Sequence, residues 1–441
     1  MLSSFKVSNF RSIQDLELNL SFAEKRAPTG YQYSDSLYFL EPRKKTRLVP
    51  TLAIYGANAS GKSNVLKSLR VFADCVLTGI EGQFQPDKLN NQGKGTSFMT
   101  EFVINGQDYL FKLAYNRATI LEELLTIDGE EIYRINTDTK KFAGLSSMAY
   151  PEERLLEIHR VECCTPQKHQ TMTFLSIIGK RYQGLHAGIT ALCEYLSERF
   201  VFLNDNSIHL FRGVNALAAV LANEHDPEPL KNAFEQITSL LETLDIHIIR
   251  MSIDRTRVML EHDPKHKQEY LDAPPEFYNR ITSVEKEGGN IVLNADSIRS
   301  FHEDADGNEV EFDFTTEESS GTQIVAGLLG IFLSVLKTGG TVIVDELDRS
   351  LHPLLLIELV RLFKDKRYNS SNAQLIFTAH NTEILDAGML RVSEVGIVKR
   401  TSQEGTEIVR LSDFREVNNN IATFRQQYLN GQFAGIPFPY I

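Results

Sequence analysis

Gly56-Ala57-Asn58-Ala59-Ser60-Gly61-Lys62-Ser63 fits the phosphate-loop pattern G-x-x-x-x-G-K-[ST], and nothing else in the chain restricts its fold so strongly. The flanks fit as well. Thr51-Leu52-Ala53-Ile54-Tyr55 reads as a short buried strand, and Asn64 to Phe72 as a helix with Val65, Leu66, Leu69 and Phe72 on one face. Strand, glycine loop and helix in that order make a cradle for nucleotide phosphates. The loop glycines let backbone N–H groups face an anion, and the helix N-terminus adds partial positive charge. Lys62 is expected to neutralise β/γ-phosphate charge, and the Ser63 hydroxyl to ligate Mg²⁺.

A second constellation lies far downstream. Thr341-Val342-Ile343-Val344-Asp345-Glu346 is an apolar strand ending in two carboxylates. Asp345 at the strand end suits Mg²⁺ held through water, and Glu346 suits a general base that polarises the attacking water. Leu375-Ile376-Phe377-Thr378-Ala379-His380 is another apolar strand, and its terminal His380 is expected to donate to a γ-phosphate from the far side. A helix, Leu354 to Phe363, separates the two strands. Upstream, Glu318-Ser319-Ser320-Gly321-Thr322-Gln323 precedes an apolar helix from Ile324 to Leu336. Taken alone, that turn is a helix N-cap with free N–H groups.

Between these motifs the pattern changes twice. Residues 1–22 read as strands, with Leu16, Leu18 and Leu20 alternating with polar residues. Asn105-Gly106 and Asp128-Gly129 each sit between alternating apolar runs, the signature of two-residue hairpins. From about 150 to 250 helical stretches dominate: Ile189 to Phe202, Ala216 to Leu221 and Leu230 to Leu244. Arg250 to Val258 and Asn290 to Leu293 read as strands. Asp304-Ala305-Asp306-Gly307-Asn308 superficially resembles a calcium loop. Its glycine falls at position four and Thr315 stands where the closing glutamate belongs, so a hairpin turn at Asp306-Gly307 is expected instead.

Composition narrows the partners. The net charge is −12, whereas affinity for nucleic acid through phosphate neutralisation calls for a basic surplus. Nucleic acid is therefore not indicated, although a local basic groove is left open. The densest basic cluster, Arg43-Lys44-Lys45 with Arg47, reads first as a solvated loop. No run of about 18 apolar residues and no charged-then-apolar leader is apparent, so neither a membrane span nor a secretory signal is expected. Four cysteines without C-x-x-C spacing read as reduced, mostly buried thiols of a cytoplasmic protein.

In their order along the chain these motifs resemble the ABC-type ATPase heads of the SMC, RecF and OLD groups. Ser319-Ser320-Gly321 looks like the ABC signature, with Glu318 where leucine is usual and Thr322 where glutamine is usual. Glu346-Leu347-Asp348 looks like the acidic residue and D-loop. Ser350-Leu351-His352-Pro353 and Asn9-Phe10-Arg11-Ser12 are similar to segments of the RecF/OLD-like branch. Closer still is the likeness to bacterial stand-alone AAA/ABC-like ATP-binding proteins. It covers the loop from Tyr55 to Asn64, Asp345 to Pro353, Gln374 to His380, and a tail running from Leu411-Ser412-Asp413-Phe414 through Tyr428-Leu429-Asn430-Gly431 to Gly435-Ile436-Pro437. In all, the resemblance spans roughly residues 1–135 and 310–441.

The resemblance implies an α/β fold: an ABC-type P-loop head, a mixed sheet with helices and an antiparallel β-subdomain, carrying a mainly helical insertion. The expected division is 1–135, 136–300 (the insertion) and 301–441. It implies ATP and Mg²⁺ as cofactors, with Glu346, His380 and Lys62 in catalysis. Gly56, Asn58, Ser60, Gly61, Lys62, Ser63, Asn64, Arg11 and Asp348 would bind the nucleotide, and Ser63 and Asp345 the metal. Ser319 and Gly321 would cap the γ-phosphate of a second copy, making a homodimer or higher oligomer of heads. The family also has a Q-loop glutamine, for which Gln83, Gln85 and Gln92 all remain open. Its members are subunits of anti-phage and abortive-infection systems. That implies a separately encoded effector, a nuclease or toxin, and a phage-derived trigger. The main alternative is an SMC/RecF-like ATPase that clamps DNA. A transporter subunit fits poorly because of the long insertion. A self-contained nuclease fits poorly because no Toprim-sized region follows His380.

Overall fold

The computed structural model describes the chain except for residues 24–46, 89–92, 137–139, 142–149, 168, 204–209, 261–280, 288–289, 402–404, 415–422 and 434–441. Arg43-Lys44-Lys45, Gln92 and Gly435-Ile436-Pro437 fall outside the described residues. The chain forms two compact units, Met1–Asn204 with Val335–Ile441, and Asp205–Ser334.

The first unit is built on a thirteen-stranded sheet. From one edge its strands are Lys140–Lys141, Glu130–Asn136, Ile120–Ile127, Gln107–Tyr115, Thr96–Ile104, Leu2–Phe10, Ile13–Asn19, Gly405–Arg410, Val395–Thr401, Thr51–Tyr55, Gln374–Thr378, Thr341–Val344 and Phe200–Leu203. The last five pair in parallel; the pairings before them are antiparallel. Burial follows this division. Thr51–Tyr55, Thr341–Val344 and Gln374–Thr378 are buried at every residue, because parallel strands are covered on both faces. Thr96–Ile104 alternates strictly between buried and half-exposed, as a sheet packed on one face must. Ile104 pairs with Gln107 and Ile127 with Glu130, so both expected two-residue turns form. Asn105, Gly106, Asp128 and Gly129 all take positive φ in them.

The helix after the phosphate loop, Lys62–Thr78, buries Val65, Leu66, Leu69 and Phe72, the face expected from its periodicity. Phe72 lies among Phe5, Phe98, Phe102 and Phe111, with ring centroids 5.7 to 6.4 Å away. This aromatic cluster fixes the helix on the antiparallel strands and thereby fixes where its N-terminus points. Three further helices, Glu152–Ile158, Phe174–Arg181 and Ala187–Glu198, also belong to the first unit. The start of Phe174–Arg181 is held by the buried carboxylate of Glu123. It accepts from the Phe174 and Leu175 N–H groups, the Tyr133 hydroxyl and the Gln170 amide. All four cysteines are free, and Cys164 alone is not fully buried.

One helical expectation is corrected. Ile189 to Phe202 was expected as continuous helix, but the helix ends at Glu198 and Phe200–Leu203 is the edge strand beside Thr341–Val344. Phe-Val-Phe-Leu is rich in aromatic and β-branched residues, and pairing with a strand outweighs the helical pattern upstream.

The second unit contains the helices Leu210–Asn223 and Pro229–Thr243 and a four-stranded antiparallel sheet of Arg250–Leu260, Ile281–Glu287, Asn290–Glu303 and Glu309–Asp313. Asp304 to Asn308 is the hairpin connection: the Asp304 carboxylate accepts the Asp306 and Asn308 N–H groups, and Gly307 takes positive φ. The helix Ser320–Thr338 begins in this unit. No membrane span was expected, yet this helix, 19 residues with mean hydropathy 1.5, is long and apolar enough to cross one. Polar and small residues such as Thr322, Gln323 and Ser334 break the continuous apolar run that the sequence scan sought. Its apolar window is 67% buried within the protein, as in a core helix.

Candidate nucleotide site

The phosphate loop leaves the C-terminal end of Thr51–Tyr55, in the middle of the parallel strands. Gly61 caps the following helix with φ 108°, and a Cβ there would collide with the Thr406 hydroxyl, so only glycine fits. The loop rests on a hydroxyl chain. Asn64 Nδ2 donates to Ser12 Oγ at 2.7 Å, Ser12 Oγ lies 2.7 Å from Thr406 Oγ1, and Thr406 Oγ1 donates to the Ser60 carbonyl at 3.3 Å. Arg11, at φ 51°, donates from Nη1 to Asn64 Oδ1 at 3.4 Å and from Nε to Gln85 Oε1 at 2.6 Å. Lys62 Nζ donates to the Gly56 and Ala57 carbonyls at 2.8 and 3.2 Å. Burial holds its ammonium below the usual lysine range, while Asp345, Glu346 and Asp348 pull the other way. Behind the loop the Tyr428 hydroxyl accepts from the Gly56 N–H, and its ring packs on Tyr55 at 5.7 Å.

The two downstream strands end beside the same loop and are latched to each other. Thr378 Oγ1 donates to Asp345 Oδ1 and accepts from the Glu346 N–H, both at 2.7 Å. Asp348 Oδ2 accepts the His380 and Asn381 N–H groups at 2.7 and 2.6 Å. Glu346 sits at φ 55°, a left-handed conformation that costs a non-glycine residue about 1–2 kcal/mol. That turn aims its half-exposed carboxylate toward His380, whose Nε2 is 3.9 Å from Glu346 Oε1. Leu-His-Pro acquires a local reason: His352 caps the helix Pro353–Lys364 by accepting the Leu354 N–H, and Pro353 takes its first position.

Together these residues line one open cleft of about 760 Å³, bounded by Asn58 through Asn64, Asp345, Glu346, His380 and Arg400. Gly56, Arg11 and Asp348 are not among its lining residues. The cleft was legible in the sequence except for Arg400, which no motif marks. The supporting hydroxyls of Thr378 and Thr406 were equally unmarked; Thr378 shows only as a polar residue ending an apolar strand, and Thr406 leaves no local signal. Of the described candidate glutamines, Gln85 bonds a residue that touches the phosphate loop, whereas the Gln83 carbonyl accepts from the Tyr115 hydroxyl.

Ser319 and Gly321 lie in the second unit. The exposed Ser319 hydroxyl accepts the Thr322 N–H and so caps the helix Ser320–Thr338. Glu318, which replaces the usual leucine, receives hydrogen bonds from Ser300 Oγ at 2.6 Å and His302 Nε2 at 2.5 Å. Its carbonyl accepts from the Gln323 amide at 2.9 Å. The turn's own carboxylate thus ties it to the strand Asn290–Glu303, in place of an apolar anchor.

Residues 52–386 match the family described as "AAA domain, putative AbiEii toxin, Type IV TA system". The chain belongs to this AAA-domain family. Among solved structures, this AAA-domain chain is similar to the SmcHead in "Crystal structure of the SmcHead bound to the C-winged helix domain of ScpA". That match has 12% identity and a TM-score of 0.46, covering 93% of this chain and 97% of the other. It is also similar to the SMC head domain from Thermotoga maritima, at 13% identity and a TM-score of 0.38, covering 93% and 98%. Curated proteins give no match.

Proposed function

We propose that this protein is an ABC-type ATPase whose heads pair around ATP and Mg²⁺, and that it serves a bacterial anti-phage system as the subunit controlling a separately encoded nuclease or toxin. The observation that carries the ATPase reading is the single cleft that unites a phosphate loop with Asp345, Glu346 and His380. The donor set suits Mg²⁺, which favours a hydroxyl and a carboxylate completed by ligand phosphates and water. Ser63 and Asp345 supply these, and the Ser60 hydroxyl is buried in the loop without a partner among the described residues. The bound metal would neutralise phosphate charge. Lys62 would neutralise the β/γ-phosphates, and Asn58, Ser60, Gly61 and Asn64 would shape the cradle. Glu346 would take a proton from the attacking water. His380, held by Asp348 through its backbone, would face the γ-phosphate from the other side. A second copy would close the site with Ser319 and Gly321, so ATP would stabilise the paired state.

The defence role draws on the family description and on the resemblance of the motifs. Free thiols and the absence of a disulfide framework agree with a cytoplasmic setting. The same description favours a second reading, in which the chain is itself the toxic partner of a toxin–antitoxin pair. Growth arrest by this chain expressed alone supports that reading; arrest that requires a neighbouring gene supports the first.

The ATPase is tested with the full chain. Wild type should retain and hydrolyse ATP, and Lys62→Ala should lose retention. Glu346→Gln should keep ATP, elute as a dimer in its presence, and turn over about a hundredfold more slowly or worse. A Glu346→Gln protein hydrolysing at the wild-type rate would overturn the assignment of the base. Unchanged retention in Lys62→Ala would overturn the site.

A further inference from the structure

The geometry points to Arg400 as a phosphate-binding residue of this cleft, holding the anionic chain of a nucleoside triphosphate together with Lys62; this rests on the nucleotide reading above. Arg400 lies on Val395–Thr401, the strand that pairs in parallel with the phosphate-loop strand up to Ile397 opposite Tyr55. Side chains alternate along a strand. Gly396 and Val398 therefore share a face with Arg400, and Val398 is buried in the core. Arg400 continues that face past the end of the core and lines the cleft. Lys399, on the other face, pairs with Glu407 at 2.9 Å.

Three observations bear on Arg400 as a ligand-binding residue. Its register partner across the hairpin is Thr406, the residue that supports Ser60 and blocks any side chain at Gly61, so its backbone is tied to the phosphate loop itself. Its side chain is exposed and makes no hydrogen bond or ion pair with a described residue, which leaves the guanidinium available to a ligand. Apart from Arg400, the one cationic side chain lining the cleft among the described residues is Lys62. Asp345 and Glu346 contribute two carboxylates, and the ammonium of Lys62 is engaged with loop carbonyls. A polyphosphate entering such a site gains from a further cation. A guanidinium is suited to it, since its fixed fork meets phosphate oxygens in pairs and stays charged at every working pH.

The test compares wild type, Arg400→Ala and Arg400→Lys as full chains, titrated calorimetrically with ATP, ADP and AMP in the presence of Mg²⁺. Arg400→Ala should weaken ATP binding about tenfold, the scale of a charged hydrogen bond. ADP should weaken less and AMP least, and Arg400→Lys should recover part of the loss. Melting temperatures should coincide, because the side chain is exposed and pairs with no described residue. ATP affinity in Arg400→Ala within about twofold of wild type overturns the assignment. So does an equal loss for ATP, ADP and AMP, which assigns Arg400 to the nucleoside. Wild type that binds no ATP at all overturns the nucleotide reading, and this inference with it.

Discussion

The two ends of the thirteen-stranded sheet solve different problems with the same hydrogen-bond ladder. At the antiparallel end the strands alternate, one face packs on the Phe72 cluster, and the hairpin turns at Asn105-Gly106 and Asp128-Gly129 are local. At the parallel end Thr51–Tyr55, Gln374–Thr378 and Thr341–Val344 are buried at every residue, so polar residues are expelled to the strand termini. Tyr55, Val344 and Thr378 end side by side, and the next residues are the phosphate loop, Asp345-Glu346 and His380. One end supplies a rigid seat; the other concentrates the polar groups at a single edge. Chemistry belongs where buried strands stop.

Three substitutions test this division, beginning with the largest effect. Gly61→Ala places a methyl group against Thr406 at φ 108°. It should abolish ATP retention and cost about 1–3 kcal/mol of stability, read from nucleotide binding and urea unfolding. Retained ATP binding would mean that the loop is not held by the Gly405–Arg410 strand. Glu123→Gln leaves an amide facing N–H donors at the start of Phe174–Arg181. Stability should fall by about 1–3 kcal/mol in urea unfolding, with ATP affinity unchanged. A lost affinity would break the separation of seat from site. Gly106→Ala meets nothing within 4 Å although φ is 78°. A thermal melt should show a loss of about 1 kcal/mol, with hydrolysis unaffected. Gly61 and Gly106 share a positive φ; what differs is the occupancy of the space around them.

The phosphate loop, the acidic strand, His380 and both hairpins could be read from the sequence because each is a contiguous run with its own local physics. Their supports could not be read in that way. Thr378 orients Asp345 from 33 residues away, Thr406 supports Ser60 from 346 away, and Gln85 reaches Arg11 from 74 away. The boundary of the insertion was also hidden. Helical periodicity runs through 152–198 and 210–243 alike, yet the first set belongs to the unit of the sheet and the second does not. Periodicity reports that a helix has an apolar face, not which surface covers it.

By itself, then, the sequence determined the turns, the glycine-permitted loop and the order of the motifs, because short-range sterics and capping act within a few residues. The tertiary structure alone decided that Arg400 faces the cleft, that Glu346 is turned toward His380, and that Phe200–Leu203 is a strand. Each of those outcomes depends on a neighbour brought close by strand pairing or core packing, and such contacts leave no mark in a local pattern.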